Sequence, residues 1–180
     1  EMGIGNTTTS SAIATVLLDK PVELVTGRGA GLDNDGLERK INAIKKALEI
    51  NKPDKNDVID VLAKVGGLDI AGMAGLFIGG AAAGIPVMLD GFISGISALI
   101  AVEICPLCKE YMIASHTSAE PAGSMLLEKL GFSPVVAAGM RLGEGTGAMA
   151  ALTVIDMAIE VYHKAITFSE INLEDYVHFL

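Results

Sequence analysis

The chain has 180 residues, 51% of them hydrophobic, which is enough to bury one sizeable core and argues for one principal domain. Its formal charge of −9 excludes a nucleic-acid surface, because phosphate backbones are held by clustered Lys and Arg that are not in excess here. Two cysteines, Cys105 and Cys108, are too few for a disulfide scaffold and fit a reducing, cytoplasmic setting.

The first residue is Glu1 and not Met, so a fragment of a longer protein is expected; no export signal opens it. In EMGIGNTTTSSAIATVLL, a glycine turn leads to a polar helix start at Asn6 to Thr8 and then to an apolar helix. Gly3, Ile4, Gly5 and Asn6 offer backbone N–H groups and a side-chain donor at that helix start, a ready anion site, although an ordinary capped helix gives the same pattern. The dinucleotide fingerprint is absent, since its third glycine is missing. Asn6-Thr7-Thr8 also matches a glycosylation acceptor, which a cytoplasmic location makes irrelevant.

A second glycine-rich turn, Thr26 to Gly31, contains GRGAG and allows another backbone approach to a ligand. Asp33 or Asn34 then caps a helix in which Leu37, Ile41, Ile44 and Leu48 recur at helical spacing, with Arg39, Lys45, Lys46 and Glu49 on the solvent side. Lys40 on this helix is a mobile point charge suited to a phosphate, or else one more solvated helix charge. After the Pro53 loop, Val58 to Val65 reads as a short helix ended by Gly66 and Gly67.

From Ile70 to Leu89 there are 20 residues without a charge, long enough to span a bilayer. Gly72, Gly75, Gly79, Gly80, Gly84 and Pro86 divide this stretch into a small-residue helix, a turn and a short strand, and no aromatic belt or flanking basic cluster supports a membrane span. Pro86 to Leu89, Tyr111 to Ala114 and Pro134 to Ala137 are short apolar runs separated by helix-length segments. The alternation predicts an α/β fold with a mostly parallel sheet covered on both faces. Ligands collect beyond the carboxyl ends of such strands, which directs attention to Asp90, to Ser115–Glu120 and to Gly139–Gly147. The last helix, about Gly147 to Phe168, carries Leu152, Ile155, Ile159, Tyr162 and Ile166 on a stripe that needs a partner.

The segment GEGTG, Gly143 to Gly147, sets Glu144 in a permissive backbone directly before that helix, whose positive end favours the anionic carboxylate. These are conditions for a general base; an exposed turn with a solvated glutamate is the plainer alternative. His116 is read as structural or as a polar lining, because no Ser or Cys nucleophile partner is apparent. Cys105 and Cys108 have the spacing of redox and zinc motifs, but a lone pair without a second Cys or His pair reads as buried small residues. No metal and no cofactor is therefore expected.

Six motifs together, EMGIGNTT at 1–8, GRGAG at 27–31, VLAKVGGLDIAGMAG at 61–75, PVMLDGF at 86–92, IASHTSAEP at 113–121 and RLGEGTGA at 141–148, resemble the nicotinate-nucleotide:dimethylbenzimidazole phosphoribosyltransferases. The resemblance runs in order from residue 1 to about His163. It implies a Rossmann-like three-layer αβα domain, residues 1–146, and a C-terminal segment, 147–180, belonging to a small helical domain, usually in a homodimer. It implies transfer of phosphoribose from nicotinate mononucleotide to 5,6-dimethylbenzimidazole, with Glu144 as the base and Glu1 as a second active-site carboxylate. Gly3, Lys40 and Ser118 fall at positions that hold the nucleotide phosphate, and Arg141, Leu142 and Gly143 line the same pocket, with Asp90 nearby. Family members carry a large segment ahead of EMGIGNTT that supplies much of the benzimidazole pocket. A nucleotide-binding module without transfer is the alternative function.

Overall fold

In the computed structural model residues 2–174 are described. Helix α1 (Asn6–Leu17) starts where Gly5, at a φ of 79°, turns the chain sharply into it. Ser10, Ser11, Ala12, Ile13 and Ala14 are all buried, and these small side chains let α1 run through the middle of the helical layer against four neighbours: α2 (Val22–Val25), α3 (Asn34–Asn51), α4 (Val58–Val65) and α6 (Phe92–Ile104). Ser11 Oγ donates to the Val25 carbonyl, which ties α2 to α1 without leaving a buried hydroxyl unpaired.

Helix α3 begins at Asp33, whose carboxylate accepts from the Gly36 N–H at 2.7 Å, as the sequence predicts for a capping residue. Its inward stripe is anchored by Ile44, with Ile41 and Leu48 packed beside it. Asp57 caps α4 in the same way, accepting from Ile59 and Asp60. Helix α5 (Leu68–Ala83) buries Ile70, Ala74 and Phe77, and ends at Gly84, whose left-handed φ of 69° reverses the chain into the first strand. No helix among the described residues is long and apolar enough to cross a membrane.

Strand β1 (Val87–Leu89) pairs in parallel with β2 (Met112–Ala114), with Val87 opposite Met112 and Leu89 opposite Ala114. Helix α6 and a 3₁₀ helix (Pro106–Tyr111) make the crossover that parallel pairing requires. Residues Gly95 to Ala101 of α6 are all buried, and this helix touches α1, α4, α5 and α7 (Gly123–Leu130), so the core is organised around it.

The third predicted strand, Pro134 to Ala137, is a correction. It contributes only a single parallel bridge, His116 to Val136, supported by Val135 N–H to Ala114 O and Thr117 N–H to Val136 O. Pro134 has no N–H to extend the ladder, and Gly139, at a φ of 61°, turns the chain away soon after. The sheet of the described residues therefore has two strands, and the α/β fold is mostly helical.

Helix α8 (Thr146–Lys164) closes the described fold. Only Gly147 and Ala151 of it are buried. Leu152, Ile159 and Tyr162 stand exposed, so this part of the predicted apolar stripe is uncovered by the described residues, whereas the helix stops at Lys164, short of the predicted Phe168, and leaves Ile166 beyond its end.

Candidate functional site

A cleft of about 220 Å³ opens at the carboxyl ends of β1 and β2. Met2, Gly3 and Thr7 border it from the start of α1, Gly29 and Ala30 from the second glycine turn, Asp90 to Ser94 from the end of β1, and His116, Ser118 and Glu120 from the loop after β2. Arg141 to Gly145 complete the rim. The volume falls below the roughly 300–1,000 Å³ of small-molecule pockets.

The rim loop has an unusual backbone. Gly143, Glu144 and Gly145 have φ values of 78°, 56° and 80°, three successive left-handed residues of which only the middle one bears a side chain. Gly145 occupies the N-cap position of α8 and can offer no capping side chain. Asp90 supplies that function from β1: Oδ2 accepts from Gly145 N–H at 3.2 Å and Oδ1 from Ala148 N–H at 3.0 Å. Thr146 Oγ1 adds a bond to the Gly143 carbonyl. The exposed Glu144 carboxylate is thus carried by a loop pinned to the strand end, while both Asp90 oxygens are taken up by the pinning.

His116 braces the same junction. It is 7% exposed, its Nδ1 lies 3.0 Å from Ser115 Oγ, and that hydroxyl donates to the Asp90 carbonyl. Its ring rests against Gly147, where a β-carbon would collide with it.

Lys40 is not a solvated helix charge. It is 7% exposed, and Nζ donates to Thr7 Oγ1 and to the Gly27 carbonyl, each at 2.9 Å, joining α1, α3 and the glycine turn behind the cleft wall. Burial pulls its ammonium below the ordinary lysine value of 10.5, while the charge of Glu120 acts in the opposite direction. Asn6 is also committed: Nδ2 donates to Asp69 Oδ2 at 2.6 Å, and that bond holds the Asp69 carboxyl below its usual range.

Gly3, Asp90, Ser118, Arg141, Leu142, Gly143 and Glu144 thus meet around one cleft. Lys40 and Asn6 stand behind it, and Ile4 and Gly5 project to solvent at the α1 entrance, Ile4 being 78% exposed. Glu1 lies outside the described residues. Thr7, Gly29 and Glu120 are cleft residues that the sequence marks only as parts of GIGNTT, GRGAG and Ser115–Glu120, without an individual role. Nothing local distinguishes them from their neighbours. Among the described residues no cluster of His, Cys, Asp and Glu is arranged to hold a metal ion. Cys105 and Cys108 are free thiols, and burial raises that of Cys108.

The sequence model of a phosphoribosyltransferase family matches residues 1–173. The nicotinate-nucleotide–dimethylbenzimidazole phosphoribosyltransferase of Desulforamulus reducens is 56% identical over 170 residues, 94% of this chain and 48% of that protein. The protein of the same name from Acetivibrio thermocellus is 53% identical over 176 residues, 98% of this chain and 50% of its own. Among solved structures, CobT from Thermus thermophilus matches with a TM-score of 0.86 at 38% identity, over 95% of this chain and 51% of that one. The chain spans about half the length of the curated relatives it matches.

Proposed function

The chain belongs to the family of nicotinate-nucleotide–dimethylbenzimidazole phosphoribosyltransferases, and from that premise we propose that its cleft binds the phosphoribosyl donor and supplies the base of the transfer. The donor is nicotinate mononucleotide, the acceptor 5,6-dimethylbenzimidazole, and the products α-ribazole 5′-phosphate and nicotinate. The observation that carries this reading is the placing of Glu144. A carboxylate stands on a fixed left-handed turn at the rim of the cleft that Gly3, Ser118 and, from behind, Lys40 surround.

The chemistry needs little more. The donor's C–N bond joins ribose to a pyridinium nitrogen, so that bond breaks with its electrons going to neutralise the ring, and no acid is required. One benzimidazole nitrogen attacks the anomeric carbon from the opposite face, which turns a β donor into an α product. The other nitrogen must lose its proton, and Glu144 accepts it. Gly3 and the N-terminus of α1, with Lys40 behind, favour the donor's phosphate and hold the sugar still. Arg141, Leu142 and Gly143 line the same pocket, and Glu1 is the second active-site carboxylate that the family resemblance implies.

In the whole protein we place β1, β2 and residues 135–136 within a larger parallel sheet of a three-layer αβα domain formed with residues 1–146. Residues 147–180 join a small helical domain, a reading supported by the uncovered Leu152, Ile159 and Tyr162 on α8. The small volume of the cleft supports a second wall from beyond this chain. A homodimer is what the resemblance implies, and a cytoplasmic location follows the reading of Cys105 and Cys108 as reduced thiols.

The test is formation of nicotinate and α-ribazole 5′-phosphate by the whole protein, followed chromatographically. Glu144→Gln is expected to lower kcat by about a hundred- to ten-thousandfold with little change in KM for the donor. Undiminished turnover would overturn the base assignment.

A further inference from the structure

Glu120 is a cleft carboxylate to which the transfer chemistry gives no task. It lies in the loop between β2 and α7, lines the cleft with Thr7, Gly29 and Ser118, and its backbone N–H donates to Ser118 Oγ at 3.3 Å. Its Oε2 is sealed from solvent and meets no hydrogen-bond donor among the described residues. A β-carbon at Gly27 would collide with this oxygen, so the carboxylate is lodged against the Gly27 backbone. The carbonyl of the same Gly27 accepts from Lys40 Nζ. Glu120 and Lys40 therefore flank one residue of the glycine turn, and they feel each other's charge.

Beside an anion site, a carboxylate is a liability. Like charges repel, and more strongly in a partly desolvated cleft than in water. An ionised carboxylate also offers acceptors only, so it cannot help to bind a phosphate. What it can hold is a donor. The donors tethered nearest to a nucleotide's 5′-phosphate are the ring hydroxyls of its own sugar.

We infer that Glu120 accepts hydrogen bonds from the ribose hydroxyls of the phosphorylated ligand while Lys40 attracts its phosphate, so that the two together select ribose 5-phosphate over bare phosphate. The inference rests on the donor site proposed above and names the part of the donor that is read. The sealed Oε2, lodged against Gly27, fixes the carboxylate, and Glu120 borders the cleft in which a sugar hydroxyl would arrive. Dinucleotide-binding α/β domains hold a ribose hydroxyl with an acidic side chain for the same chemical reason.

Titration calorimetry on the whole protein with nicotinate mononucleotide, ribose 5-phosphate and inorganic phosphate tests this. Glu120→Gln is expected to weaken both sugar phosphates by at least about tenfold and to leave inorganic phosphate bound as well as before or better. Glu120→Asp, which keeps the charge, should recover part of the loss. Lys40→Met should weaken all three probes. Normal binding of ribose 5-phosphate to Glu120→Gln overturns the inference, as does an equal loss for all three probes, which marks a merely structural role. Absence of ribose 5-phosphate binding by the unaltered protein overturns it too. If the unaltered protein binds ribose 5-phosphate, Glu120→Gln loses it, and yet no phosphoribosyl group is transferred, the inference stands and the transferase reading fails.

Discussion

The carboxylate of Asp90 and the backbone amide of Gly145, 55 positions apart in the chain, meet at 3.2 Å, and through this contact the end of the first strand holds the turn that carries Glu144. The other Asp90 oxygen holds Ala148, so one side chain caps α8 and shapes its approach. Replacing it by alanine strands two helix-terminal amides, and hydrogen bonds to a charged group contribute about 1.5–3 kcal/mol. Asp90→Ala is expected to lose stability in that range by denaturant unfolding. Asp90→Asn keeps one acceptor and turns an NH₂ toward the second amide, so kcat should fall at least about tenfold with a smaller change in KM. A variant that unfolds normally and turns over normally would show that the loop is held by other contacts.

What the sequence disclosed and what it hid divide along a physical line. Asp33, Asp57 and Gly84 act on their own neighbours, and caps and helix stops of this kind are readable from a few adjacent residues. The gathering of Asp90, Ser118 and Glu144 at one cleft was readable as well, because strand ends in α/β folds point the same way. The loss of the third strand was not, since pairing is decided by a partner elsewhere, and only Pro134 hinted at it. Lys40 carried a signal that went unused. It shares the helical stripe of Leu37, Ile41 and Ile44, and a lysine on an apolar stripe is a buried charge with a partner to find. The tasks of Asp90 and the lodging of Glu120 against Gly27 depend on contacts distant in sequence, so no local pattern could announce them.

Lys40 gives the site a pH dependence with a defined sign. Burial lowers its ammonium below 10.5, so between the lowered value and 10.5 the unfolded chain binds the extra proton, and stability rises with pH in that window. Attraction of the donor's phosphate runs the other way, because it needs the proton and declines as pH climbs through the lowered value. Donor affinity measured across the alkaline range should therefore fall before an ordinary lysine would lose its charge. Removing the opposing charge in Glu120→Gln should move that decline to lower pH, and Lys40→Met should abolish it. An alkaline decline that survives in Lys40→Met would assign it to another group.

Glu144 is held at a φ of 56°, a region that costs a residue with a β-carbon about 1–2 kcal/mol. Glycine escapes this strain but loses more backbone entropy on folding, about 0.5–1 kcal/mol. The strain term is the larger, so Glu144→Gly is expected to be more stable than the unaltered protein by up to about 1 kcal/mol while losing at least a hundredfold in kcat. Thermal unfolding and a turnover assay on the same preparation check both halves. A destabilised Glu144→Gly would mean that the carboxylate contributes more to the fold than its exposed position indicates.

Gly147→Ala sets two effects of opposite sign against each other. Alanine is favoured over glycine within a helix by about 1 kcal/mol, and Gly147 has no left-handed backbone to object. Its new β-carbon, however, would collide with Nδ1 and Cε1 of His116. That ring cannot yield cheaply, being buried and held by Ser115, whose hydroxyl in turn holds the Asp90 carbonyl. Overpacking of this kind costs about 1–3 kcal/mol, so a net loss of stability is expected, together with reduced turnover because the disturbance runs to the strand end that pins the Glu144 loop. The origin is separable by a double-mutant cycle. In a His116→Ala background the obstacle is gone, the helix preference alone remains, and Gly147→Ala should become neutral or stabilising. An equal penalty in both backgrounds would place the cost of the substitution somewhere other than the His116 ring.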